Sequence, residues 1–294
     1  MTYDIVLIGN YTKDTIVSAS GIRQVDGGGF NYGAHVAAMM GLKTAAVTRL
    51  AEEDRRVVER LQQLGVNVYP VWTPESTCLE LRYPTSDPDQ RTITVSASAG
   101  PFTVDQVRTL SARAFLLSGS FRGEIPLQVI AELRRKPALL AADLQAFLRE
   151  MGPDGVLRVT PWPEHDAVLS QLDVLKADAV EAEALTGERD PAAAACRIAA
   201  WGPREIVITH RDGVLVLAED QLHAAPFRPR ELRGRSGRGD TCIAAYLCRR
   251  LEGASPWKAT LWAAAVTSLK LEAEGPLGVT RAQVEQRLAE DYEG

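Results

Sequence analysis

Short apolar runs of strand length alternate with runs of helical period along most of this chain, and that alternation restricts its fold more than any other feature. Ile5 to Ile8 reads as a strand, Ala34 to Met40 as a helix, Thr44 to Thr48 as a strand and Asp54 to Leu64 as a helix. The rhythm resumes with Ala114 to Leu117, Pro126 to Arg134, Ala138 to Asp143, His165 to Gln171, Val174 to Lys176, Ala179 to Leu185, Pro191 to Ala200 and Ile206 to Thr209. Repeated βαβ order predicts an α/β protein. Pro191 suits the first position of a helix, and Ser255-Pro256 and Thr280-x-x-Gln283 read as helix starts.

Two stretches break the rhythm. Asp14 to Val25 and Val68 to Ala99 are rich in β-branched and alternating residues, with turn signals at Thr73-Pro74 and Thr85-Ser86-Asp87-Pro88. Both read as excursions into one small β-sheet that covers a site as a lid and keeps water out. The expected division is a single domain, with a lid from residues 11–26 and 68–100 and an α/β core from 1–10, 27–67 and 101–294.

The chemistry concentrates in Gly234 to Thr241, GRSGRGDT. Its glycines have the spacing of a phosphate-binding P-loop, but Asp240 stands where that loop carries lysine. A carboxylate cannot neutralise phosphate, so Asp240 reads as a base for a phosphoryl acceptor. The run from Thr241 to Gly253 has helical period and ends on a glycine suited to the C′ position. Asp240 therefore sits at a helix N-terminus, where the amides of Gly237, Arg238, Gly239 and Asp240 form an anion site and the dipole favours an ionised carboxylate. A plain glycine-rich turn is the competing reading; Arg238-Gly239-Asp240 is also an adhesion tripeptide, in a chain with no secretory signal. A second glycine run, Gly27 to Gly29, fails the dinucleotide fingerprint, because Tyr32 stands where its last glycine belongs. It reads as a hinge, a close backbone approach to a ligand, or a simple turn.

Composition removes several classes. At 294 residues, 46% hydrophobic and 24% charged, the chain is an ordinary globular protein, and a net charge of −5 offers no basic stripe for nucleic acid. Cys78, Cys196, Cys242 and Cys248 show no CxxC pairing, and His35, His165, His210 and His223 lack metal-ligand spacing, which fits a reduced, cytoplasmic setting. No apolar run reaches the length of a membrane span.

Together these segments resemble the ribokinase-like PfkB carbohydrate kinases, from Ile5 to the C-terminus. The family's D-T-x-G-x-G-D loop is similar to Gly234–Thr241, which implies Asp240 as catalytic base and Gly237, Arg238 and Gly239 as anion hole. Its glycine followed by a sugar-binding aspartate looks like Gly9 and Asp14, and its substrate-contacting diglycine looks like Gly27-Gly28. Its N-x-x-E element before L-T-G is similar to Asp178-Ala179-Val180-Glu181 ahead of Leu185-Thr186-Gly187, implying that Asp178 and Glu181 order Mg²⁺ and the nucleotide phosphates through water. The donor-side T-x-G-x-x-G segment is loosely similar to Thr209 to Gly213, with Thr209 and Gly213 as nucleotide contacts. The resemblance implies a doubly wound, mostly parallel sheet flanked by helices with a β lid, and MgATP-dependent phosphorylation of a hydroxyl on a sugar, polyol or nucleoside.

The chain departs from the family pattern at several positions. Gly234 replaces an aspartate that helps bind a monovalent cation in many members, so potassium activation is not implied here. Asp178 replaces asparagine, and Tyr32 stands where sugar kinases often keep asparagine, with Asn31 adjacent as a substitute substrate contact. GNYTKD at Gly9–Asp14 and DLQAFLR at Asp143–Arg149 look like the inositol kinase branch, which makes myo-inositol the first acceptor to consider and Asp143 a substrate contact. For Asp143 and Gln145 the competing reading is a strand-end pair satisfying loop backbone, and for Arg149 a solvated helix-start residue. Phe30 and Tyr32 keep a nucleoside acceptor open, the degraded donor segment a catalytically silent ligand-binding member, and the alternation of Thr92 to Val95 a homodimer through the lid.

Overall fold

The computed structural model describes residues 2–19, 21–84 and 91–292; the turn expected at residues 85–88 lies outside them. A nine-stranded sheet forms the centre, in the order Gln221–Pro226, Gly213–Ala218, Glu205–His210, Val174–Asp178, Leu139–Asp143, Ser111–Leu117, Thr2–Ile8, Thr44–Ala51 and Asn67–Thr73. Every pairing is parallel except the two hairpin pairings at the Gln221 edge.

The strands are apolar almost throughout because both faces are covered. In the first strand Ile5 and Leu7 enter one core while Val6 and Ile8 enter the other, as a period of two requires. Helices Gly29–Met39, Arg55–Gln63, Arg238–Leu251 and Pro256–Leu271 pack on the first face, and Leu127–Arg134 and Pro191–Ala199 on the second. This is the doubly wound α/β architecture that the alternating pattern and the family resemblance indicated. The helix starts also behave as their sequences indicate. Pro191 and Pro256 occupy first turns, and Thr280 and Gln283 form a reciprocal capping box ahead of Arg281–Asp291.

The strand order reverses between Thr2–Ile8 and Ser111–Leu117, and the chain leaves these neighbours at Gly9 and Ser118. A Cβ on Gly9 would strike the Ser118 carbonyl, so glycine is what lets the two strand exits lie together. Crevices at such a switch point are where open α/β sheets bind ligands.

A separate four-stranded sheet, ordered Gly21–Asp26, Thr12–Ser18, Thr77–Arg82 and Thr92–Ala97, stands over that crevice. The lid boundary expected at residue 68 needs correction: Asn67–Thr73 pairs in parallel with Thr44–Ala51 and belongs to the central sheet. As an edge strand it carries the half-exposed alternation that a lid strand also shows. Within the lid, Ile93 and Val95 pack inward with Leu79, Leu81 and Phe121, so the alternation of Thr92 to Val95 builds the lid's own core rather than an outward face. Among the described residues no helix is long and apolar enough to cross a membrane.

Candidate active site

The loop ahead of helix Arg238–Leu251 positions Asp240 in the helix's first turn, with Gly237 as its left-handed N-cap at φ 77°. Each glycine here makes room for a particular neighbour. A side chain on Gly237 would enter the Tyr32 ring, and one on Gly239 would meet the Lys176 ammonium. The anion site is smaller than expected, because the Arg238 amide donates to Arg235 O at 3.2 Å and the Asp240 amide bonds its own carboxylate, leaving the amides of Gly237 and Gly239.

The second glycine run faces this loop. A Cβ on Gly27 would strike the Asp14 carboxylate, one on Gly28 the Asn10 carbonyl, and one on Gly29 the Asp240 carboxylate. Gly27 to Gly29 thus form a bare floor on which two carboxylates rest, and Gly28 also carries the positive φ, 91°, of a turn. Asp14 on strand Thr12–Ser18 is buried, and one oxygen of each of Asp14 and Asp240 lacks a hydrogen-bond partner. Burial pushes the Asp14 carboxyl up to about 7; the Thr12 hydroxyl opposes this and the charge of Asp240 adds to it. Burial also raises the Asp240 carboxyl above the ordinary range, against the pull of Lys176 and Arg149. The helix dipole therefore does not by itself keep Asp240 as acidic as the sequence suggests, and the base is stronger for it.

Two connected cavities meet at Asp240. A small chamber of about 80 Å³ is lined by Asp14, Gly28, Tyr32 and Ser120 below and by Leu79, Leu81 and Ile93 of the lid above. A larger cavity of about 450 Å³ runs from Asp240 along Lys176, Asp178, Glu181 and Thr209, with Arg91, Arg149, Arg211, Arg235 and Arg238 on its walls. Gln145, Arg149, Gly237 and Asp240 border both. The two spaces suit a hydroxylic acceptor and a polyanionic donor on either side of one carboxylate.

Asp178 and Glu181 cap the helix Ala179–Thr186 reciprocally: the Glu181 amide donates to Asp178 at 2.8 Å and the Asp178 amide to Glu181 at 3.1 Å. Arg149 also donates to Glu181 at 2.8 Å, with both side chains largely buried. It lies at the start of the short strand Arg149–Met151, not on a solvated helix start. Asp178 remains ionised: burial disfavours its charge, but Lys176 and Arg149 outweigh that and lower its pKa. No cluster of three metal-ligating side chains occurs among the described residues.

Several expected contacts are placed elsewhere. Asp143 ends strand Leu139–Asp143, its carboxylate lies 3.1 Å from the Lys176 ammonium, and it does not line either cavity. Asn31 is fully buried in its helix, donates to Asp26 O at 3.1 Å and lines neither cavity. Gly213 lies in the edge hairpin, where a Cβ would strike the Ala225 carbonyl, so strand pairing alone accounts for that glycine. Thr209 does line the larger cavity. Phe30 is in the core, which leaves Tyr32 as the one aromatic ring on the small chamber's described lining.

Lys176 and Arg91 were not singled out from sequence. Lys176 lies two residues before Asp178 on one strand, so the two share a sheet face, and that spacing was the available signal. The family profile described as pfkB family carbohydrate kinase matches residues 1–281. The chain belongs to the PfkB carbohydrate kinase family. It is a phosphotransferase with an alcohol acceptor. A pyrophosphate-dependent kinase of the ribokinase family, solved with sulfate, is 36% identical over 96% of this chain and 99% of its own, with a TM-score of 0.89. A pyrophosphate-dependent myo-inositol-1 kinase converted into a myo-inositol-3 kinase by two substitutions to leucine is 33% identical over 99% and 100%, with a TM-score of 0.88. Arabidopsis thaliana ribokinase, solved with ribose and ATP, shares the fold at 21% identity over 98% and 99%, with a TM-score of 0.77. No curated protein matches the chain.

Proposed function

We propose that this PfkB kinase phosphorylates a hydroxyl of a cyclic polyol, with myo-inositol as the first candidate, and that its donor is inorganic pyrophosphate rather than ATP. The observation that carries this reading is the position of Asp240 between the chamber holding Asp14 and the arginine-walled cavity. A short, highly charged donor suits such dense cationic walls, and the 36% and 33% identical relatives are pyrophosphate-dependent.

In this reading Asp14 accepts hydrogen bonds from acceptor hydroxyls and orients one of them toward Asp240. Asp240 takes that hydroxyl's proton as the oxygen attacks phosphorus. The bond to the bridging oxygen breaks, and orthophosphate leaves with the electron pair. The amides of Gly237 and Gly239, with the Lys176 ammonium, meet the charge on the transferred group, which is where such loose transition states need stabilisation. Arg149 holds the leaving phosphate side, and the lid excludes water. Mg²⁺ would supply further neutralisation of the donor's charge; Asp178 and Glu181, facing the larger cavity, would hold it through water.

Incubation with myo-inositol and either pyrophosphate or ATP, followed by phosphorus NMR of the product, separates the donors. Inositol phosphate formed with pyrophosphate supports the reading; formation with ATP alone overturns its donor half. Asp240→Asn abolishes turnover while donor affinity stays within a few-fold, and full activity in that variant refutes the role of Asp240.

A further inference from the structure

Helix Pro256–Leu271 ends directly beside the loop that carries Asp240, and its last turn holds Lys270, 1% exposed. The Lys270 ammonium donates to Gly234 O at 3.1 Å and reaches Ala273 O at 3.5 Å. It also lies 5.7 Å from the centre of the Tyr32 ring. Its surroundings are thus two main-chain carbonyls, one at the negative end of a helix dipole, and an aromatic face. These are the neutral donors from which sites for monovalent cations are built. The charges nearest this cage are those of Glu274 and Asp240, which favour the ammonium form. Burial is the larger influence and lowers its pKa to about 8, so the group is still a cation at neutral pH.

The cage is tied to the anion site at both ends. The amides of Arg233 and Gly234 donate to Leu271 O at 2.9 and 3.1 Å, which clips the start of the loop to the helix end. At the other end the Tyr32 ring fills the space against Gly237 that a Cβ would need. Gly234 itself has no room for a side chain, because a Cβ would strike the Ala273 carbonyl. A carboxylate ligand for an exchangeable cation cannot stand there.

We propose that Lys270 is a built-in monovalent cation: its ammonium replaces an exchangeable ion in holding the loop from Gly234 to Gly237 in the geometry that Asp240 and its neighbouring amides require. Lys270 is a positioning residue and touches no reactant. Phosphotransfer by this enzyme is consequently indifferent to potassium.

The experiment compares potassium, ammonium and tetramethylammonium chlorides at equal ionic strength. The wild-type rate is the same in all three, and stimulation by potassium overturns the proposal without any variant. Lys270→Ala loses about tenfold or more in turnover in tetramethylammonium, and potassium or ammonium restores it saturably. Thermal melting without substrates gives a second readout, independent of donor and acceptor: potassium or ammonium raises the midpoint of Lys270→Ala and not that of the wild type. Lys270→Met repeats both arms if the alanine variant does not fold, and the wild-type comparison decides if neither does. A folded variant with full turnover in tetramethylammonium, or one that no small cation restores in rate or melting, overturns the assignment.

Discussion

Lys176 and Asp143 form an ion pair at 3.1 Å beneath the anion loop, with side chains 5% and 1% exposed. Burial disfavours the Lys176 charge, but Asp143, Glu181 and Asp178 more than offset it and raise its pKa. Removing one partner of such a pair leaves the other charged in a dry site. Asp143→Ala should therefore cost about 3–5 kcal/mol in urea unfolding. The double variant Asp143→Leu with Lys176→Met should recover most of that stability and remain inactive, because the ammonium beside Gly239 is gone. A stable Asp143→Ala protein whose only defect is a raised acceptor KM would instead return Asp143 to the acceptor site.

The glycines of the loop predict unequal damage. Gly239→Ala meets the tip of the Lys176 side chain, a group with rotatable bonds that can withdraw, so this variant folds but loses turnover as the ammonium leaves the donor side. Gly237→Ala meets the Tyr32 ring and must also hold φ 77°, so it is the less stable of the two. Combining Gly237→Ala with Tyr32→Leu should regain part of the melting temperature, and Gly239→Ala with Tyr32→Leu should regain none.

Asp14 and Glu124 set the pH dependence. Burial pushes both carboxyls up to about 7, in Glu124 despite hydrogen bonds from Ser120 and Asn10. Their folded pKa values lie above the unfolded ones, near 4, so their contribution to stability is fully present below pH 4 and is lost as pH rises through 7. The ligand-free protein should melt at a lower temperature at pH 8 than at pH 5, other groups aside, and Glu124→Gln should reduce that fall. Acceptor binding has the opposite sign, because Asp14 must be ionised to accept from hydroxyls: kcat/KM for the acceptor rises toward a plateau above about pH 7. Asp14→Asn should raise KM strongly and remove the Asp14 share of this rise, leaving that of Asp240, whose carboxyl burial also raises.

What the sequence disclosed follows from how local each signal is. Asp240 was legible because a carboxylate in a phosphate-loop pattern is a contradiction confined to eight consecutive residues. The capping pair Thr280 and Gln283 was legible for the same reason. Lys270 was not, and Lys176 carries only its spacing to Asp178, since a lysine in an apolar run does not show the distant carboxylate or carbonyl that holds it. Asn67–Thr73 was placed in the lid because half-exposed alternation describes any sheet edge, and only its pairing partner tells which sheet. The sequence leaves a solvated helix start open for Arg149 because its partner Glu181 lies 32 residues away.

The lid offers a test of water exclusion apart from the catalytic groups. Its edge strand Thr92–Ala97 is fastened to the loop after Arg149–Met151: the Val95 amide donates to Gly155 O at 2.8 Å. Gly155 has φ 75°, and a Cβ there would lie 2.8 Å from the Val95 carbonyl, so any side chain pushes the two segments apart. Arg91, Ile93 and Leu157 line both cavities near this junction, so its loosening opens the site to solvent without altering Asp240. Gly155→Val should therefore lower acceptor phosphorylation more than total donor consumption, because water competes with the hydroxyl for the donor. Parallel assays of orthophosphate release with and without acceptor measure the ratio. An unchanged ratio, with both rates reduced alike, would mean that this contact stiffens the lid but does not exclude water.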